Sequence, residues 1–326
     1  MKKLLLTTAA AVVLSTGLAS AADLRMVGKA PAPPPPAPSM WDIAFGGALA
    51  TDYNFRGISQ SDRGPSVFGY WEPRFNINPN FQLYAGIAGA SVKLPTDPAA
   101  EIDFYGGVRA TFGKFTADLG AIYYYYPKER EIDGVFITAP PVFNTTLTDT
   151  DFWEVYAKLN YTWTDEFSTG LQAYYSPSWL NSGADGTFLV GNAKYTLPWK
   201  IPVWGGVGVY MSGEFGHYWF GRTDVAFTTT GVVVFLDNTG TTGIDLPDYN
   251  YWSGGFGFTW KTFTLDFRYY DTDLSGAECN ALTADPGASV IAPTVINNFT
   301  TFGSSRWCSE AFVARLSWDL TLDSLK

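Results

Sequence analysis

The chain has 326 residues, with 21 Lys plus Arg against 31 Asp plus Glu, and its formal net charge of −10 excludes nucleic-acid phosphates as a natural partner. Charged residues make up only 16%, below the roughly 25% usual in soluble domains, while aromatics reach 17% and glycines number 33. Nothing beyond the N-terminal segment offers ~20 consecutive apolar residues, so a membrane form of the rest has to be a β-barrel.

Residues 1–22 read as a secretory signal. Lys2 and Lys3 form its basic start, Leu4 to Leu18 its apolar stretch, and Ala19-Ser20-Ala21 its small-x-small cleavage site. Removing it leaves 19 basic residues against 31 acidic ones. Residues 23–40 form a linker around the run APAPPPPAPS, whose prolines favour polyproline II and make a semi-rigid periplasmic spacer.

From Trp41 onward about twelve segments alternate apolar and polar residues with the period of a strand. The first sets Ile43, Phe45, Leu49 and Tyr53 outward and Asp42, Asp52 and Asn54 inward. The second sets Val67, Trp71 and Phe75 against Tyr70, Glu72 and Arg74; the third, Phe81 to Val92, alternates weakly. The fourth is the clearest, with Ile102, Phe104, Val108 and Phe112 against Asp103, Tyr105, Arg109 and Thr111. The fifth opposes Phe115, Leu119 and Tyr123 to Thr116 and Asp118, and the sixth Trp153, Val155 and Leu159 to Glu154, Tyr156 and Lys158. The seventh and eighth place Gln172, Asn192 and Lys194 inward, and the ninth places Tyr210, Ser212 and Glu214 there. The tenth to twelfth set Trp252, Phe256, Phe263, Leu265, Phe312 and Leu316 against Ser253, Asp266, Arg268 and Arg315.

The connections alternate in length. Short ones fall near 78–80, 113–114, 164–166, 198–202 and 261–262, and long ones near 56–65, 93–101, 127–151, 180–187, 221–250 and 271–309. Short periplasmic turns and long extracellular loops are the habit of bacterial outer-membrane barrels, and a soluble sandwich has no reason to sort its loops this way. The expectation over 41–326 is therefore an all-β, transmembrane, antiparallel up-and-down barrel. Tyr53, Phe55, Trp71, Tyr123, Tyr125, Trp153, Trp163, Tyr175, Trp204, Trp252 and Trp260 are expected near strand ends as aromatic girdles facing lipid.

The inward faces carry acids at Asp52, Glu72, Asp103, Asp118, Glu154, Glu214 and Asp266, and bases at Arg74, Arg109, Lys158, Lys194, Arg268 and Arg315. Ionisable groups at bilayer depth are tolerated only against protein or water, so this set points to a polar lumen. It either lines a narrow pore or zips into an ion-paired plug. The long loops are acid-rich: Glu129, Glu131, Asp133, Asp149 and Asp151 in the third, Asp224, Asp237, Asp245 and Asp248 in the fifth, and Asp271, Asp273, Glu278 and Asp285 in the sixth. Solvated charge is the plainer reading of these acids and divalent-ion recruitment at a lipopolysaccharide surface the sharper one. No D-x-[DN]-x-[DN]-G calcium loop occurs, and no metal or cofactor is expected.

Cys279 and Cys308, the only cysteines, suggest one disulfide in an exported chain. His217, the only histidine, falls on the lipid face of the ninth strand, and neither a Gly-x-Ser-x-Gly elbow nor a His-Glu-x-x-His motif is present, so no enzyme activity is expected.

The most specific string is Thr51-Asp52-Tyr53-Asn54-Phe55-Arg56-Gly57-Ile58-Ser59-Gln60-Ser61-Asp62, with Pro65 close behind. With Trp260-Lys261, Phe263-Thr264-Leu265-Asp266, Tyr270-Asp271-Thr272-Asp273-Leu274 and the cysteine-bearing loop, it resembles the TorF family of outer-membrane porins. The resemblance implies a porin-type outer-membrane barrel, though many such barrels finish on an aromatic residue, whereas here Trp318 and Leu320 precede a short tail. Together the readings predict a passive diffusion channel for small hydrophilic solutes or ions, embedded in outer-membrane lipid and lipopolysaccharide. A non-conducting structural or adhesion barrel is the alternative, and an outer-membrane hydrolase a more distant one. In the first loop, Tyr53 and Phe55 are expected to face outward at the rim. Arg56 and Asp62 are expected to pair as a clasp across the loop, with solute contact as the other role for it.

Overall fold

The computed structural model describes residues 39–130, 132–136, 143–147, 149–203, 205–224, 227–228, 231–232, 243–297 and 299–325. The signal segment, the linker up to residue 38, Glu131, Trp204 and Asp237 lie outside the described residues.

Twelve strands build the wall: β1 (Trp41–Ala50), β2 (Ser66–Asn78), β3 (Phe81–Ala90), β4 (Glu101–Phe112), β5 (Phe115–Tyr125), β6 (Phe152–Thr162), β7 (Phe167–Ser176), β8 (Gly186–Thr196), β9 (Gly208–Phe220), β10 (Tyr249–Trp260), β11 (Phe263–Thr272) and β12 (Ala311–Thr321). Each pairs antiparallel with its chain neighbours, and β12 closes on β1 in the register Ala44↔Thr321 through Ala50↔Arg315. Closure leaves no edge strand with unpaired backbone groups. The connections 79–80, 113–114, 163–166, 197–207 and 261–262 lie at one end of the barrel, and 51–65, 91–100, 126–151, 177–185, 221–248 and 273–310 at the other. These are the short-turn end and the long-loop end.

Alternation decides which face each residue takes. Outward positions such as Leu49, Val67, Leu119, Phe215 and Phe312 are exposed and apolar, whereas inward ones such as Glu72, Asp118, Glu154 and Lys158 are charged and buried. This inverts a water-soluble fold and is the distribution that a hydrocarbon surround makes stable. Tyr123, Tyr125, Trp153, Trp163 and Tyr175 are exposed at strand ends, while Trp71 is exposed in mid-strand. His217 also faces outward, with Nδ1 2.9 Å from Asn250 Oδ1 and its ring against Trp219.

The first strand departs from its expected course. β1 stops at Ala50, and after Thr51 the chain leaves the wall and folds into the barrel mouth. Asp52 Oδ1 accepts hydrogen bonds from Ser59 Oγ (2.6 Å) and Ser61 Oγ (2.9 Å), drawing the loop back on itself. Between them Asn54–Phe55 and Ile58–Ser59 form a hairpin of their own. Its turn residues, Arg56 (φ 51°) and Gly57 (φ 89°), both take the left-handed conformation that a two-residue type I′ hairpin needs. A Cβ on Gly57 would meet Thr272 Cγ2 at 2.3 Å, so the close approach as well as the dihedral requires glycine. Tyr53 and Phe55 therefore face inward, where Tyr53 Oη donates to Glu101 (2.5 Å) and Phe55 packs against Tyr124. The alternation that placed them outward ends with the strand.

The sixth long loop carries helix α1 (Gly276–Thr283), started by a capping box in which Ser275 and Glu278 satisfy each other's backbone amides. Cys279 and Cys308 are joined in a disulfide, with Cα atoms 5.7 Å apart. Reduction is expected to leave the folded barrel band unchanged on a gel while accelerating protease cleavage within 273–310. The cross-link spans 29 residues, and losing it costs the loop on the order of 3–4 kcal/mol on the chain-entropy model. Limited proteolysis of the detergent-folded protein with and without reductant checks this.

Candidate functional site

The long-loop half of the lumen is built around Arg56. Carried by its hairpin tip, the guanidinium crosses to the far wall and forms a two-pronged pair with Glu154 of β6, with Nη1–Oε1 and Nη2–Oε2 both 2.7 Å. Nη1 also donates to Tyr218 Oη at 3.0 Å, and Tyr124 Oη donates to Glu154 Oε2 at 3.0 Å. Rings close the remaining sides: the guanidinium carbon lies 4.5 Å from the centroids of Phe55, Tyr174 and Phe188 and 5.1 Å from that of Tyr218. A planar cation between aromatic faces gains cation–π attraction, which strengthens away from water. The carbonyl oxygen of Arg56 accepts from Tyr249 Oη at 3.0 Å, fixing the turn itself.

Neighbouring loops hold the base of this plug. Lys93 N donates to Gln60 O (2.8 Å), and Ser59 N donates to Trp307 O (2.9 Å), next to the disulfide. Arg63 donates to Arg306 O (2.6 Å), to Ser309 Oγ (2.8 Å) and to Glu310 O. The expected clasp between Arg56 and Asp62 does not form. Arg56 is committed to Glu154, while Asp62 pairs with Lys93 and accepts the Trp307 indole N–H at 3.1 Å. Their turn separates the two side chains, one into the lumen and one toward the rim. The Lys93 hydrogen bond, followed by that of Trp307, holds the Asp62 carboxyl below its usual range.

Below the plug the lumen has two unlike walls. Along β2–β6 the charges zip together. Arg74 Nε donates to Glu72 (2.6 Å), and Arg109 reaches Asp118 (3.3 Å), Glu72 (3.8 Å) and Gln82 (2.6 Å). Tyr84 donates to Asp118 and shares a 2.6 Å hydrogen bond with Tyr156, whose ring lies under Lys158 Nζ at 4.2 Å. Glu72, Asp118 and Glu154 have no exposed surface. Along β8–β12 the charges are looser. Arg268 pairs with Asp266 at 3.1 Å and donates to Ser212 (2.6 Å), yet both members keep about 15% of their side-chain surface, specifically 14% and 15%. Tyr210 donates to Asp266, Tyr251 to Glu214, and Lys194 Nζ lies 4.2 Å from the Tyr210 ring. Lys194, Glu214 and Arg315 are half-buried in the same way, with Arg315 over the Phe68 ring at 4.6 Å.

All twelve charged residues named from the pattern occupy inward positions: Glu72, Arg74, Asp103, Arg109, Asp118, Glu154, Lys158, Lys194, Glu214, Asp266, Arg268 and Arg315. They divide between the two walls rather than forming one ring. Asp52 belongs to the loop, not the wall. The period-2 pattern gave no warning of the aromatic seat. Tyr124, Tyr174, Phe188 and Tyr218 are inward aromatics, a residue type equally at home on either face, and no local signal links them to a loop far earlier in the chain. Carboxylate oxygens of Glu129, Asp149 and Asp151 lie within 4.8 Å of one another at the long-loop end. Glu129 is held by Thr96 and Thr150, and Asp151 by Tyr123 and the Tyr126 amide, so they serve the loop's own structure.

Fold and lumen together define a class: a closed twelve-stranded antiparallel barrel, polar inside and apolar outside, with its first loop folded into the mouth. Residues 36–218, more than half of the chain and including the infolded hairpin, match the Gcw_chp family, described as a bacterial protein of unknown function, and the chain belongs to that family. No curated protein matches it. Solved structures of similar architecture include the NanC porin (8% identity, TM-score 0.40, covering 86% of this chain and 100% of that one). An outer membrane channel from Pseudomonas putida F1 (8%, 0.39, 89% and 99%) and OmpT, an outer membrane protein of Vibrio cholerae (10%, 0.36, 86% and 96%), are others. At TM-scores this low the likenesses carry no functional weight.

Two outcomes follow from this geometry. Arg56→Ala leaves Glu154 buried without its cation and is expected to destabilise by about 3–5 kcal/mol. Combining it with Glu154→Gln is expected to cost less than the sum of the single changes, by ~1–3 kcal/mol, in a double-mutant cycle read by urea unfolding. For Asp62 the carboxyl is lowered, so its contact with Trp307 is complete above the ordinary carboxylate range and is lost as pH falls through the lowered value. The Trp307 indole N–H resonance should titrate there, and the titration should vanish in Asp62→Asn.

Proposed function

We propose that this protein is an outer-membrane channel for passive diffusion of small hydrophilic solutes or ions, held closed by its first loop. The observation that carries the reading is the unequal lumen. A barrel meant only as a scaffold has no use for lumenal charges left partly accessible, and Lys194, Glu214, Asp266, Arg268 and Arg315 line one side of the lumen in that way. Over it sits the first loop, whose hairpin pairs only with itself, whose tip is seated in the wall by the Arg56–Glu154 pair, and whose base is held by neighbouring loops. The inside-out surface, the sorting of loop lengths and the resemblance to outer-membrane porins support the location, with lipid and lipopolysaccharide as surroundings. The role is transport, not catalysis.

The full burial of Glu72, Asp118 and Glu154 favours a second reading, a non-conducting barrel sealed by its charges. Planar-bilayer recording separates the two. The wild-type protein should be mostly closed with rare discrete openings, and Arg56→Ala should raise the open-to-closed ratio, about tenfold for each ~1.4 kcal/mol of lost seating. Lys194→Glu should move the reversal potential toward cation preference. Arg109→Glu reports on the sealed wall instead and should impair folding. Absence of conductance steps from both wild type and Arg56→Ala would sink the channel reading.

A further inference from the structure

The seat of Arg56 is more than a lock for one loop. Of the groups touching the guanidinium, only Phe55 travels with the hairpin; Glu154, Tyr174, Phe188 and Tyr218 stand on the strands β6, β7, β8 and β9. Each has a contact independent of Arg56, that of Phe188 being the Tyr251 ring. Tyr124 Oη holds Glu154, Tyr174 Oη donates to Gln172 Oε1 at 3.0 Å, and Tyr218 stacks on Phe220 at 4.1 Å. The receptor is therefore built into the wall, and Arg56 occupies it as a ligand would.

Its shape selects a chemical class. The carboxylate is presented edge-on to two nitrogens, and aromatic faces flank the plane between them, a geometry that suits a delocalised planar cation and wastes a compact ammonium. Withdrawing the hairpin would leave Glu154 without its cation, and an incoming cation of the same shape would take that place. A solute shifts a closed–open equilibrium only through different affinity for the two states, and this pocket is filled in one and free in the other.

We propose that the Glu154–Tyr174–Phe188–Tyr218 pocket is a binding subsite for small guanidinium-bearing cations, with Arg56 as a tethered competitor that such a solute displaces. This rests on the channel reading for its route of access, although binding itself can be measured without conduction. The probe is propylguanidinium, which reproduces the arginine side chain, with propylammonium as control. Equilibrium dialysis against detergent-folded Arg56→Ala and Arg56→Met should give propylguanidinium binding at least ~10-fold tighter than to wild type, because a tethered group competes at millimolar effective concentration or above. Glu154→Gln in either background should weaken it at least ~10-fold, and propylammonium should show neither effect. Wild-type protein supplies an arm that needs no substitution: propylguanidinium should speed protease cleavage within 51–65, and propylammonium should not. Equal behaviour of the two probes, indifference to Glu154→Gln, or no acceleration in wild type would overturn the subsite. Binding without conductance would instead leave the subsite standing and remove the channel.

Discussion

The ion pair between Arg56 and Glu154 is the interaction on which the placement of the first loop in the barrel mouth depends. A charge pair taken out of water is stable only when its geometry is good and its remaining hydrogen-bonding capacity is met. Here both prongs are 2.7 Å, two tyrosine hydroxyls complete the set, and rings cover the rest. The loop's other features serve that placement. Asp52 gathers the serines that fold the hairpin, Gly57 fits where any side chain would strike Thr272, and Tyr249 fixes the turn carbonyl.

The two walls answer different needs. Along β2–β6 the charges of Glu72, Arg74, Arg109 and Asp118 are knitted together by ion pairs and tyrosine hydroxyls into a polar core on one side of the barrel. Along β8–β12 the pairing is looser, and the same residue types keep some accessible surface.

The barrel was legible because a sheet between lipid and a polar lumen must alternate at every step, so Ile102 to Phe112 or Phe263 to Tyr269 could be read without knowing their neighbours. The sorting of loop lengths added polarity. What the pattern could not carry was the fate of residues 51–65. Tyr53 and Phe55 continue the alternation of β1, yet the wall ends at Ala50 because Asp52 finds partners in Ser59 and Ser61 instead of a neighbouring strand. Arg56 looked like a partner for Asp62, six residues on, but its carboxylate lies 98 residues away. Pairs of that separation leave no local trace in one sequence.

The plug also lies across the place where the barrel closes. Thr51 and Ala314 exchange the last hydrogen bonds of the β1–β12 seam, and Arg63 and Ser59 fasten the loop to Arg306, Trp307, Ser309 and Glu310 just ahead of β12. The first loop therefore also bridges the two ends of the wall: part of what holds it in the mouth is the segment that leads into the final strand, so the contacts that seat the loop cross the seam as well.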